Sequence, residues 1–138
     1  MGKRRRAREL ALQVLFSLEF IHDDPNDAFE LICGNFNFPK SIRSFSKKLV
    51  LDVYQQKGEL DRLIGKASEN WRVERMARLD RCILRLAALE IIFLEDIPPR
   101  VSIDEAVELG KKFGSENSSR FINGLLDSIL NSLDKKEQ

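Results

Sequence analysis

Residues 79–94 read LDRCILRLAALEIIFL, and the reading of this stretch decides the fold. Twelve of its sixteen residues are apolar, and neither Gly nor Pro interrupts them. At about 1.5 Å per residue the run makes a helix of about 24 Å, apolar on nearly every side. It is too short for a bilayer span, and Asp80, Arg81, Arg85 and Glu90 make it too charged. Such a helix is buried by its neighbours, so residues 79–95 are expected at the centre of an all-α bundle. Arg85 and Glu90 lie about 140° apart on this helix and do not pair with each other. Arg85 is therefore expected to meet Glu105 or Glu108 on a neighbouring helix.

The flanks supply amphipathic helices. Upstream, Ala7, Ala11, Val14, Leu18 and Ile21 recur at spacings of four and three, which predicts a first helix over residues 3–22. Asp24-Pro25 forms a cap and first turn for a second helix reaching about Cys33. Residues 34–39 form a loop, with Phe36 and Phe38 expected to pin it to the core. A third helix runs from about Ser41 with Ile42, Phe45, Leu49 and Val53 inward, and Gly58 is expected to break or bend it. Leu60, Leu63, Ile64, Ala67 and Trp71 mark a fourth. Residues 72–78 connect it to the central helix, which must end near Asp96 ahead of Pro98-Pro99.

Downstream, Ser102-Ile103-Asp104-Glu105 has the spacing of a capping box. Its helix ends at Gly114, placed for a left-handed cap. A last helix starts near Asn117 or Ser118 and buries Phe121, Ile122, Leu125, Leu126, Ile129, Leu130 and Leu133. Gly124 within it predicts a close helix–helix approach. The tail from residue 134 is expected to be solvated. No segment alternates like a strand, so the fold class is all-α: a compact bundle of about seven helices in one domain, residues 1–138.

Composition narrows the function. The 138 residues are 43% hydrophobic and 33% charged, ordinary for a globular chain with its own core. Net charge is only +1, but Lys3, Arg4, Arg5, Arg6 and Arg8 place five positive charges in six residues. The remainder is net negative by about four, so a polyanion site must be local to the N-terminus. Cys33 and Cys82 are far apart in apolar surroundings and read as core residues in a reducing compartment. No signal-peptide core follows the basic start, which points to the cytoplasm.

Catalytic constellations are missing from the sequence. His22 is the sole histidine, beside Asp23 and Asp24 at a helix end, and reads as a surface residue. No Cys/His spacing suits zinc, and no G-x-G or P-loop occurs. Neither catalysis nor a metal or cofactor is expected. Gly110 and Gly114 have a small-x-x-x-small spacing, but Lys111 and Lys112 between them argue for a helix end rather than a membrane dimer.

Two elements can bind. Guanidinium forks in residues 3–8 match phosphate oxygens and stack on bases, so RNA or DNA is the natural partner. A disordered solubilising N-terminus is the plainer alternative. A membrane-surface helix is disfavoured by Glu9, Glu19 and the core-like stripe. At residues 114–120 amides of the last helix, with Ser118, Ser119 and Arg120, could hold a phosphate. Asn117 and Ser118 acting only as caps is the alternative there. Phe121 offers a stacking ring, or simply a core side chain.

Three blocks carry a resemblance: RRRARELALQVLFSLEF at the start, NWRVERMARLDRCILRLAALE in the middle, and IPPRVSIDEAVELGKKFGSENSSRFINGLLDSI at the end. In their order and spacing they resemble the NusB family of bacterial transcription antitermination factors. The resemblance implies two packed three-helix-type subdomains and no catalysis. It implies a heterodimer with the ribosomal protein NusE that binds boxA-containing single-stranded RNA. That pair would join the RNA polymerase elongation complex in ribosomal RNA operons, with a homodimer of the free chain left open. Lys3, Arg4, Arg5, Arg6 and Arg8 match the family's arginine-rich RNA-binding segment. Asn117, Ser118, Arg120 and Phe121 match its second RNA-contacting region. Glu74, Arg75 and Asp80 fall on the expected protein-partner surface, with the central helix behind them and Asp80 and Arg81 at its exposed start.

The chain departs from the family pattern at Phe16 and Leu89, where Tyr is frequent, and at Asn117, where Asp is common. Two rival readings are a protein–protein adaptor and the NusB-like domain of ribosomal RNA cytosine methyltransferases. The latter would need a catalytic domain downstream of Gln138.

Overall fold

The computed structural model describes residues 2–34, 36–69 and 72–137, with side chains described through Leu133. Trp71 and the expected solvation of the tail lie outside the described residues and side chains. Among the described residues there are seven α-helices, one 3-10 turn and no strand. They fall into two compact units, Met1–Gln55 and Gln56–Gln138.

The first unit holds α1 (Lys3–Ser17), α2 (Pro25–Cys33) and α3 (Lys40–Gln55), each packed on the other two. The first part of the α1 stripe is buried as its spacing predicts: Ala7, Ala11 and Val14, with Leu10 beside them, are covered, as are Ile42, Leu49, Val50 and Val53 of α3, while Leu18 is half-buried. α1 stops about one turn earlier than expected. Ser17 Oγ donates to the Val14 carbonyl at 2.7 Å, and Glu19 N donates to Phe16 O, tightening the chain out of the α-helix. Ile21, counted in the stripe, is exposed.

The Asp24 cap forms as expected. Its carboxylate accepts from the Asn26 and Asp27 amides at 2.9 and 3.1 Å, with Pro25 at the first helical position. His22 is exposed, and Cys33 is buried. Phe36 is not pinned to the core: it is 55% exposed, while Phe38 is half-buried beside it.

The second unit holds α4 (Lys57–Ala67), a 3-10 turn (Val73–Arg75), α5 (Arg78–Phe93), α6 (Pro99–Phe113) and α7 (Ser118–Glu137). The break before α4 falls at Gln56, not Gly58, which sits inside the helix with open space where a Cβ would be. α5 is the expected central helix. Every residue from Cys82 to Glu90 is buried, and α4, α6 and α7 pack around it.

Three local expectations are corrected here. α6 begins at Pro99, three residues before the expected cap, because a proline at the first helical position lacks only an amide that would have had no partner. Ser102 is therefore inside the helix, buried, and its hydroxyl donates to a Glu90 carboxyl oxygen at 2.8 Å. Gly114 is extended (φ −89°, ψ −170°) rather than left-handed. It is glycine because a Cβ would lie 2.5 Å from Ser118 Oγ and 2.8 Å from the Gly110 carbonyl oxygen. The close approach of α6 and α7 is made by Gly110, whose Cβ would stand 3.0 Å from Ile122 Cδ1, and not by Gly124.

Candidate nucleic-acid interface

Lys3, Arg4, Arg5 and Arg6 form the first turn of α1, and no side chain caps the helix at Gly2. Cations at a helix N-terminus oppose the helix dipole by about 0.3–1 kcal/mol each, so the cluster does not serve helix stability. An anion bound there would gain from both the side chains and the helix end. Lys3, Arg4 and Arg6 are exposed, and Arg5 is half-buried.

Aromatic rings of the same unit hold these guanidiniums. Arg4 lies 4.6 Å from the centroid of the Phe45 ring on α3, and Arg6 lies 5.8 Å from that of Phe38. Arg8 is one helical turn beyond Arg4 on the same face, 6.0 Å from the Phe45 centroid, and only 4% exposed. Of the five basic residues expected to bind RNA, Arg8 is thus the one that lies buried, over the Phe45 ring of α3. Phe38 and Phe45 were not singled out as binding-site residues in the sequence, although their aromatic character beside a basic segment was a usable signal.

In the second unit the turn from α6 to α7 brings residues 114–121 together. Ser118, expected to hold a phosphate, is buried. Its hydroxyl accepts from the Ser115 amide at 2.9 Å and lies 3.2 Å from Ser115 Oγ. It therefore closes the turn rather than presenting a donor to solvent. Asn117 and Arg120 are exposed, while Ser119 and Phe121 are half-buried. Phe113, 45% exposed with Lys112 Nζ 5.3 Å from its ring centroid, is a more open aromatic face that the sequence pattern did not single out.

Of the expected partner residues Glu74 lines a polar groove of about 760 Å³ between α4, the 3-10 turn and α5, while Arg75 and Asp80 do not. Asp61, Arg62, Glu69, Arg72, Glu74 and Arg81 line it. Glu74 and Arg75 are exposed on the turn, which Arg81 ties to α5 through its 3.3 Å bond to the Val73 carbonyl. Asp80 is not exposed as expected. It lies in the first turn of α5, where its charge suits the helix dipole, and is 9% exposed. Arg85 pairs with Asp61 on α4, a carboxylate the sequence reading did not name.

Among the described residues no helix is long and apolar enough to cross a membrane. The NusB family pattern matches residues 5–131. A transcription antitermination protein NusB of Desulfatibacillum aliphaticivorans is 48% identical over 138 residues, covering 100% of this chain and 96% of the relative. That of Syntrophus aciditrophicus is 46% identical over 136 residues, covering 99% and 84%. The solved T. maritima NusB superposes with a TM-score of 0.87 at 33% identity, covering 100% of this chain and 99% of that one. A NusB crystallised with NusE and double-stranded RNA superposes with a TM-score of 0.86 at 29% identity, covering 96% and 98%. With the sequence matched over most of its length and the fold matched alongside it, the chain belongs to the NusB family.

Proposed function

We propose that this chain is a non-catalytic transcription antitermination factor of the bacterial cytoplasm. Residues 1–138 act as a single RNA-binding domain. It binds boxA-containing single-stranded RNA together with the ribosomal protein NusE, and the pair joins the RNA polymerase elongation complex in ribosomal RNA operons. The observation that carries this reading is the first turn of α1, where four cations crowd an uncapped helix end and two guanidiniums rest on aromatic rings. Asn117, Arg120 and Phe121 provide the second RNA contact, with Ser118 shaping the turn that presents them. The groove rimmed by Glu74 receives the protein partner, with Arg75 on the same turn.

Fluorescence anisotropy with a boxA oligoribonucleotide, with and without NusE, tests this. Four phosphate contacts to a single strand give a slope of log K against log[salt] of about −3, or about 60-fold weaker binding at 200 than at 50 mM salt. Deleting residues 1–8 should abolish most of that dependence. Salt-insensitive or absent binding under both conditions overturns the RNA reading and leaves a protein–protein adaptor. Since a relative was solved with double-stranded RNA, a duplex of the same sequence belongs in the titration.

A further inference from the structure

The residues joining α2 to α3 contain an aromatic pair that the family's RNA-contacting segments do not include. The Phe36 and Phe38 rings lie 5.8 Å apart between centroids, tilted at 58°. The Arg6 guanidinium sits 5.8 Å from the Phe38 centroid. Phe36, next in this series, is 55% exposed.

Both sides of the pair are anchored. The Phe36 amide donates to the Cys33 carbonyl at 3.1 Å, and the Pro39 carbonyl accepts from the Ile42 and Arg43 amides, each at 3.1 Å. The ring is thus presented from a backbone tied to two helices. A half-exposed phenylalanine next to a cation–aromatic pair combines the two features that single-stranded nucleic acid uses: charge along the backbone and a ring face for a base.

We infer that Phe36 is a nucleobase-stacking platform, taking one unpaired base of a single-stranded RNA whose phosphates are held by Arg6 and its neighbours. Phe38 is a positioning residue that supports both the Arg6 guanidinium and the Phe36 ring. The inference rests on the RNA-binding reading of residues 3–6 and extends that site to a segment with little resemblance to the family pattern. The contact is tolerant of sequence, since every base offers a π-face, so it adds affinity without adding base discrimination.

The test uses the full chain and a fluorescein-labelled boxA oligoribonucleotide, plus a set of the same strand with single abasic positions. Phe36→Ala and Phe36→Leu should each weaken binding about 5- to 150-fold, the range of one lost base stack, with the salt slope unchanged. Phe36→Tyr should bind within about twofold of the parent, because a ring face remains. On one abasic strand the parent and Phe36→Ala should bind alike. Parent-like affinity of Phe36→Ala on every strand overturns the inference, as does a Leu variant that binds as well as Tyr. A Phe36→Ala variant altered only in self-association or NusE affinity also overturns it, in favour of a protein contact. If the parent binds and Arg6→Gln weakens it while Phe36→Ala does not, this inference alone fails. If the parent shows no salt-sensitive RNA binding, both readings fall.

Discussion

The Arg85 guanidinium grips the Asp61 carboxylate with two parallel bonds, Nε to Oδ1 at 2.7 Å and Nη2 to Oδ2 at 2.9 Å, joining α5 to α4. The Arg85 side chain is 8% exposed and Asp61 29%, so the pair lies where water reaches only the carboxylate side. Removing Asp61 takes from this covered charge the carboxylate that accepts its two bonds of 2.7 and 2.9 Å. Asp61→Ala should destabilise the protein by about 2–3 kcal/mol, less than a fully buried pair because water can partly replace the carboxylate. Arg85→Met, which removes the charge and keeps the volume, should lose less. Urea denaturation of the two variants checks the order, and a milder loss for Asp61→Ala would contradict it.

Gly114 and Gly124 should respond oppositely to the same substitution. Gly114→Ala drives a methyl against Ser118 and the Gly110 carbonyl and should destabilise by about 1–3 kcal/mol. Gly124 is exposed within α7 with nothing within 4 Å of its would-be Cβ, so Gly124→Ala should stabilise by about 0.4–1 kcal/mol. Thermal melts of the pair separate crowding from helix propensity.

Arg4 and Arg8 carry the same charge one turn apart but should behave as different kinds of residue. Arg4→Gln should reduce the magnitude of the salt slope by about 0.7 and leave the melting temperature nearly unchanged. Arg8→Gln should leave the slope as it was and lower the melting temperature, because its side chain is packed in the unit. Equal slopes for the two variants would show that exposure does not sort them.

Asn117 stands exposed at the turn before α7, where an acidic residue would repel phosphate. Asn117→Asp should weaken boxA binding in the absence of NusE, and more strongly at low salt. Equal or tighter binding by the Asp form removes any electrostatic role for the amide.

Glu30 on α2 holds Lys47 at 2.9 Å and Arg43 at 3.4 Å, both on α3. The Lys47 hydrogen bond, its charge and the charge of Arg43 keep the Glu30 carboxyl below its ordinary range. A lowered folded-state value means that the stabilisation is present above the ordinary glutamate range and is lost as pH falls through the lowered one. Glu30→Gln should therefore lose a small amount of stability at neutral pH, where the ion pairs are formed, match the parent in acid, and so flatten the acid side of the profile. Denaturation midpoints across an acid series measure this.

What the sequence made legible was local or strongly periodic. Asp24-Pro25 announces a helix start within three residues, and the apolar run of α5 leaves no role but burial. What escaped it was decided by neighbours distant in the chain. Arg85 needed a carboxylate, but only the packing of α4 on α5 brings Asp61 to it. Ser102 has the spacing of a cap, yet the prolines upstream start the helix first, and the serine then faces Glu90. Likewise, Arg4 and Arg8 share a face, and it is the course of α3 that covers one and leaves the other in water. The four-charge site was legible as a cluster; its depth profile was not.

The Ser102–Glu90 bond has a consequence beyond holding two helices together. α6 buries Ile103, Ala106, Leu109 and Gly110 along with Ser102. Rolling α6 by one residue turns Ser102 through about 100° and takes its hydroxyl away from the Glu90 carboxyl. The misrotated arrangements lose that hydrogen bond, worth about 0.5–3 kcal/mol. One hydroxyl thus indexes the helix, much as a keyway fixes a shaft, and so sets the angle at which α6 delivers its far end to the 114–121 turn.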